Sequence, residues 1–156
     1  MAEPLLRVKN LVKHFPIKGG LFSREVARVH AVDGVSFDIY AGETLGLVGE
    51  SGCGKSTLGR TIVRLYEPTA GEILFKGEHI EKLGPRRLRP LRREMQMVFQ
   101  DPYASLNPRK RVGTIVSDPM RIHGLGDRAE RKKRVGELLE TVGLSPEHYN
   151  RFPHEF

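Results

Sequence analysis

Three observations predict an α/β fold. A short apolar run at residues 44–48 feeds a Gly-rich turn and then a helix-spaced apolar pattern. Alternating strand patterns stand on both sides of that unit, and the last third of the chain reads as helical. At 156 residues the chain has the length of one ordinary domain.

The elements follow in order. Residues 5–12 and 26–40 read as strands, and in the second Val35, Phe37 and Ile39 alternate with Ser36, Asp38 and Tyr40. Between them KGGLFSRE, with Gly19 and Gly20, reads as a loop or hairpin excursion. The strand 44–48 is flanked by Gly42 and Gly49. The helix 55–66 places Leu58, Ile62 and Leu65 on one side, and Pro68 and Gly71 close it. An alternating strand at 72–76, a basic helix at 86–93 and a strand at 95–99 follow. Asp127 and Glu130 have capping-box spacing. Val135, Leu138, Leu139 and Val142 then share a helix face, Gly143 supplies the stop, and Ser145-Pro146 reads as a new helix start.

Composition narrows the class. Lys and Arg outnumber Asp and Glu by 26 to 19, giving a net charge of +7, and the excess gathers at residues 86–93, 109–111 and 128–134. Such clusters are solvated faces, faces for anionic ligands or lipid headgroups, or a nucleic-acid footprint. No aromatic residues interleave with them as stacking platforms, so nucleic acid is not expected. The single cysteine excludes an internal disulfide and a cysteine-cluster metal site. The first ten residues have no signal-peptide pattern, and no apolar run reaches the roughly 18 residues that span a bilayer. A cytoplasmic location is the expectation.

One motif carries chemistry. Gly49-Glu-Ser51-Gly52-Cys53-Gly54-Lys55-Ser56-Thr57 fits G-x-x-x-x-G-K-[ST], between an apolar strand pattern and a helix pattern. Chance would produce the pattern in a chain this long about 0.5% of the time. Its glycines let successive backbone N–H groups converge on phosphate oxygens, and the helix N-terminus adds partial positive charge. Lys55 is placed for the β- and γ-phosphates and Ser56 for Mg²⁺. A dinucleotide fingerprint fails, because counting from Gly52 puts its third glycine at Thr57. Cys53 reads as a small loop filler, with thiolate chemistry beside bound phosphate as the other reading. A regulatory GTPase is excluded: N-K-x-D is absent, and Asp101, Asp118 and Asp127 are followed at the fourth position by Ala, Arg and Glu rather than Gly. Gln100 ends an apolar run before a Pro-bounded loop. It could orient a water, donate its carbonyl to a Mg²⁺ shell, or be an ordinary strand-end glutamine.

GESGCGKST followed by MVFQDPYASLNPR resembles the ATP-binding subunits of ABC transporters, most of all the oligopeptide/dipeptide importer type. VKNLVKHFPIKGGLFSR, AVDGVSFDIYAGETLGLVGESG and RLYEPTAGEI extend the likeness over nearly the whole chain. The resemblance implies a P-loop NTPase core of the ABC ATPase kind, with an antiparallel β region at 1–43, a P-loop to Q-loop core at 44–111 and the start of a helical subdomain at 112–156. It implies ATP and Mg²⁺ as cofactors, Phe15 as the aromatic that stacks on adenine, and residues 49–57 as Walker A. Gln100 becomes the Q-loop glutamine that touches Mg²⁺. Phe15 on its own reads equally as a buried strand-end residue. The implied partners are transporter membrane subunits and a second ATP-binding subunit in a head-to-tail dimer, peripheral to the cytoplasmic face of the cell membrane.

Family members continue past a stretch like Phe152-Pro-His-Glu-Phe156 into a signature loop, a Walker B strand and a switch histidine. No Walker B pattern occurs here, and His148 and His154 lack the context of a switch histidine. The expectation is the N-terminal portion of such an ATPase, truncated, with an apolar sheet edge, binding MgATP weakly and hydrolysing it negligibly alone. Steady turnover abolished by Lys55→Ala would contradict that hypothesis. The alternatives are a non-hydrolysing regulatory ABC protein and a soluble ABC ATPase acting on nucleic acid, the latter supported by salt-sensitive nucleic-acid binding.

Overall fold

The computed structural model describes residues 3–19, 24–101 and 105–156, with the side chains of Arg24 and Glu25 left aside. The chain forms two compact units, Met1–Met97 and Val98–Phe156. In the first, β1 (Leu6–Gly19) pairs antiparallel with β2 (Arg24–Ile39) and with β3 (Ala70–Phe75). β4 (Glu78–His79) completes a four-stranded sheet of order β2-β1-β3-β4. Val8 and Leu11 of β1, Val32 of β2, and Ile73 and Phe75 of β3 are buried on one core: Ile73 and Phe75 alternate, whereas Val8 and Leu11, three apart, share the face through an irregularity at Asn10, φ +46°. Arg7 and Asp38 are register partners, and two guanidinium–carboxylate hydrogen bonds of 3.0 Å join them. Lys76 and Gly77, both at positive φ, form the two-residue turn between β3 and β4 that matches strand twist.

Helix α1 (Lys55–Ile62) lays Leu58 on this core, and α2 (Pro85–Leu91) adds Leu88. Burying each such side chain contributes about 1.5–3 kcal/mol. In α2, Pro85 sits in the first turn, where its missing N–H costs nothing.

In the second unit, α3 (Val112–Ile122) and α4 (Arg128–Thr141) precede 3₁₀ turns at Pro146–Asn150 and Pro153–Glu155. The capping box is present: Asp127 Oδ1 accepts from the Glu130 N–H at 2.9 Å, and Glu130 Oε2 accepts from the Asp127 N–H at 2.7 Å. Val135 and Leu139 are buried, whereas Val142 is exposed past the helix end. Ser145 accepts from the Glu147 N–H, so the helix start expected there is a 3₁₀ turn. A Cβ on Gly113 would stand 2.4 Å from the Tyr149 ring, so α3 meets the 3₁₀ turn at a position only glycine allows.

Three expectations are corrected. Residues 44–48 and 95–99 are not strands. Val48 is 91% and Val98 95% exposed, and neither run has a strand partner among the described residues. A strand exists only as a paired structure, and apolar alternation cannot supply the pair. Helix α1 ends at Ile62 rather than at 66, because Arg64 adopts φ +56° and turns the chain out of the helix. Leu65, assigned to the apolar side, is exposed.

Candidate functional site

The P-loop motif folds as a tight turn ahead of α1. Gly54 is the N-cap, in the left-handed region at φ +95°, and its carbonyl accepts from the Leu58 N–H at 2.8 Å. No side chain caps this helix, so the N–H groups of its first turn, at Lys55, Ser56 and Thr57, have no side-chain acceptor. A Cβ on Gly54 would stand 2.1 Å from the Ala31 carbonyl oxygen. Glycine therefore serves twice here: it supplies the conformation, and it lets the loop rest on β2.

Lys55 folds over its own loop, donating from Nζ to the carbonyls of Gly49 at 2.7 Å and Glu50 at 2.6 Å, with Cys53 Sγ at 3.6 Å. The Cys53 N–H bonds back to the Glu50 carbonyl. Ser51, Gly52, Cys53 and Ser56 are exposed, and Thr57 is half-buried. An ammonium, uncapped helix N–H groups and an exposed hydroxyl thus converge on one small region. That donor set fits a polyphosphate with its dication, since phosphate oxygens supply the acceptors the N–H groups lack. Beside it lies an open groove of about 400 Å³ lined by His30, Asp33, Val35, Cys53, Lys55 and Leu58.

Phe15 lies on β1, half-buried, opposite Val29. Tyr66 meets its ring edge-on at 5.4 Å between centroids, and Lys13 Nζ stands 4.8 Å from its centroid. The ring is fixed from one side and already attracts a cation to its face. Gln100 is exposed at a bend in the second unit. Tyr103, within the motif that follows it, lies outside the described residues, as do residues 20–23 of the stretch KGGLFSRE.

The basic clusters have defined roles in the structure. Arg87 pairs with Glu78, and Arg92 donates to the Arg64 carbonyl. Lys110 and Arg121 both bind Asp118, at 2.6 and 3.0 Å, and Lys110 above all holds that carboxyl below its ordinary pKa. Arg134 pairs with Glu137.

Two features escaped sequence reasoning. Arg64 is buried and donates from Nε to the Ile80 carbonyl at 3.0 Å and from Nη2 to the Leu83 carbonyl at 3.3 Å, tying the end of α1 to the segment before α2. Its place within the helix expected at 55–66 gives no sign of this burial. The second is a cluster of His14, His30 and Asp33. Its signal would have been a prediction that His14 and His30 oppose each other, which needs the hairpin register.

The ABC transporter family model matches residues 32–156. The chain is 56% identical over 154 residues to the glutathione import ATP-binding protein GsiA of Salmonella paratyphi A, and 55% identical to that of Escherichia coli strain K12. These alignments cover 99% of this chain and 25% of each relative, so the chain spans about a quarter of their length. Among solved structures it is similar to the dimeric post-hydrolysis state of the ATP-binding cassette MJ0796 bound to ADP and Pi. There the TM-score is 0.77 and the identity 26%, covering 97% of this chain and 62% of that one.

Proposed function

The chain belongs to the ABC transporter family, and on that premise we propose that it is the ATP-binding, energy-coupling element of an importer for peptide-class solutes. The observation that carries this reading is the uncapped N-terminus of α1, set behind an exposed Gly-rich turn with Lys55 folded across it. The backbone of residues 49–57 would cradle the phosphates, Lys55 would supply the countercharge, and the Ser56 hydroxyl would hold Mg²⁺. Bound Mg²⁺ neutralises charge that develops on the transferred phosphoryl group. Phe15, braced by Tyr66, offers its face to adenine. The solute class rests on the relatives named for glutathione import.

The partners in this reading are importer membrane subunits and a second ATP-binding subunit, with the chain peripheral to the cytoplasmic face of the membrane. None of the described helices is long and apolar enough to cross a bilayer. The exposed Arg128, Lys132 and Lys133 of α4 suit a partner surface or an anionic leaflet.

Titration with a fluorescent ATP analogue in Mg²⁺ tests the nucleotide assignment. Lys55→Ala is expected to weaken binding by about 2–3 kcal/mol, roughly 30- to 150-fold, through loss of a charge-assisted contact. Equal affinity in wild type and variant would sink the assignment. Reversing the charges of Lys132 and Lys133 should abolish co-purification with the membrane subunits, and unchanged association would remove that surface from the proposal.

A further inference from the structure

We propose that His14, His30 and Asp33 form a binding site for a transition-metal dication of the zinc class, separate from the Mg²⁺ of the nucleotide. His14 on β1 and His30 on β2 are register partners, and their rings lie 3.8 Å apart between centroids. Asp33 reaches both: Oδ1 stands 3.5 Å from His14 Nε2, and Oδ2 stands 3.7 Å from His30 Nδ1. The ligand atoms of all three residues lie within 4.8 Å of one another. Two donors bound tetrahedrally to one zinc at about 2.0–2.1 Å stand about 3.4 Å apart. Both measured separations are therefore close to those of a metal-filled site.

An irregularity in the hairpin builds the cluster. Residues three apart on a regular strand point to opposite faces, so His30 and Asp33 should diverge. Between the pairs Lys13–Val32 and His14–His30 the ladder advances one residue on β1 and two on β2. That is a bulge, and its extra residue at position 31 re-aims His30 toward the face that carries Asp33. Bulges are a common way to re-aim a side chain beside a functional site, and the carbonyl of Ala31 is the atom on which Gly54 rests.

His14 points to a ligand independently of the distances. Its side chain is only 15% exposed, and Nε2 is buried with no hydrogen-bond partner among the described residues. Buried polar atoms are almost always paired, and an imidazole nitrogen without a hydrogen bond can offer its lone pair to a metal. His30 and Asp33 are 57% and 69% exposed, which leaves an entry path and an open coordination position. Two imidazoles and one carboxylate select zinc, nickel or copper over magnesium and calcium, which favour all-oxygen shells.

The test is equilibrium binding of Zn²⁺ alone to the nucleotide-free full chain, by competition with a chromophoric chelator, with Co²⁺ absorption reporting the ligand type. The expected result is one equivalent bound, with visible ligand-field bands and no thiolate charge-transfer band. His30→Ala and Asp33→Asn should each lower zinc affinity at least about tenfold, while His154→Ala leaves it unchanged. Both substituted residues are exposed, and circular dichroism confirms that the variants fold. Three results would each overturn the proposal: no zinc binding at micromolar concentration, affinity unchanged in His30→Ala and Asp33→Asn, or a thiolate band marking Cys53 as the ligand.

Discussion

Replacing Gly54 by alanine separates the two roles assigned to that residue. At φ +95° an alanine costs about 1–2 kcal/mol against glycine. Its Cβ would also stand 2.1 Å from the Ala31 oxygen, so the loop or β2 must retreat by roughly 1 Å to reach ordinary contact. Overpacking against backbone adds about 1–3 kcal/mol. The total, about 2–5 kcal/mol, corresponds to at least about thirtyfold weaker nucleotide binding if the strain is relieved by lifting the exposed loop off β2. Gly52→Ala is the matched control, because Gly52 also has positive φ, at +84°, but a Cβ there meets nothing within 4 Å. Only the conformational cost of about 1–2 kcal/mol remains, a loss of about 5- to 30-fold. Titration of both variants with a fluorescent ATP analogue in Mg²⁺ reads the difference directly. Equal losses would refute the seating of the loop on Ala31, and wild-type affinity in both would refute the loop conformation itself.

Two further predictions concern the scaffold. Arg64→Met should destabilise the fold by about 1–3 kcal/mol, because it removes the arginine donor from the buried Leu83 carbonyl and leaves the Ile80 carbonyl with only the Leu83 N–H; an unchanged urea midpoint would count against that role. Glu81 accepts from the Ile73 N–H at 3.1 Å, and its side chain is almost wholly buried. Burial pushes its pKa up, but the N–H groups of Ile73 and of Glu81 itself, with the His79 ring, outweigh this and hold it below the ordinary glutamate value. Its contribution to stability is therefore present above that ordinary value and is lost as pH falls through the lower folded-state value. Urea midpoints measured across the acid range should fall less steeply in Glu81→Gln, and identical acid limbs would contradict the assignment.

What could be read from the sequence was local. The G-x-x-x-x-G-K-[ST] motif announces itself because Gly49, Gly54 and Lys55 must stand at fixed spacing for one turn to present N–H groups and an ammonium together. Asp127 and Glu130 announce a helix start for the same reason, since both hydrogen bonds close within four residues. The alternation of Val35, Phe37 and Ile39 marks a half-buried strand without naming its partner. Where the partner decides the outcome, the reading stops. Residues 44–48 and 95–99 carry strand composition but lie unpaired among the described residues, and Leu45, Leu47, Val48, Val98 and Phe99 are exposed. Burial of the Arg64 charge against two carbonyls leaves no periodic trace in the sequence.

The same distinction explains why the most informative part of the molecule is the least legible. The bulge at position 31 is a mismatch between two strands, and it appears in neither strand's own pattern. Yet it brings His30, Asp33 and His14 together, and the backbone that carries it is where Gly54 comes to rest. A regular ladder would send His30 and Asp33 to opposite faces and would move the Ala31 carbonyl from beneath the loop. The Gly49–Thr57 loop therefore owes its donor set to its own nine residues and its position to Ala31, more than twenty residues before Gly54. A register change in β1 and β2 should weaken nucleotide binding without altering a single residue of the motif.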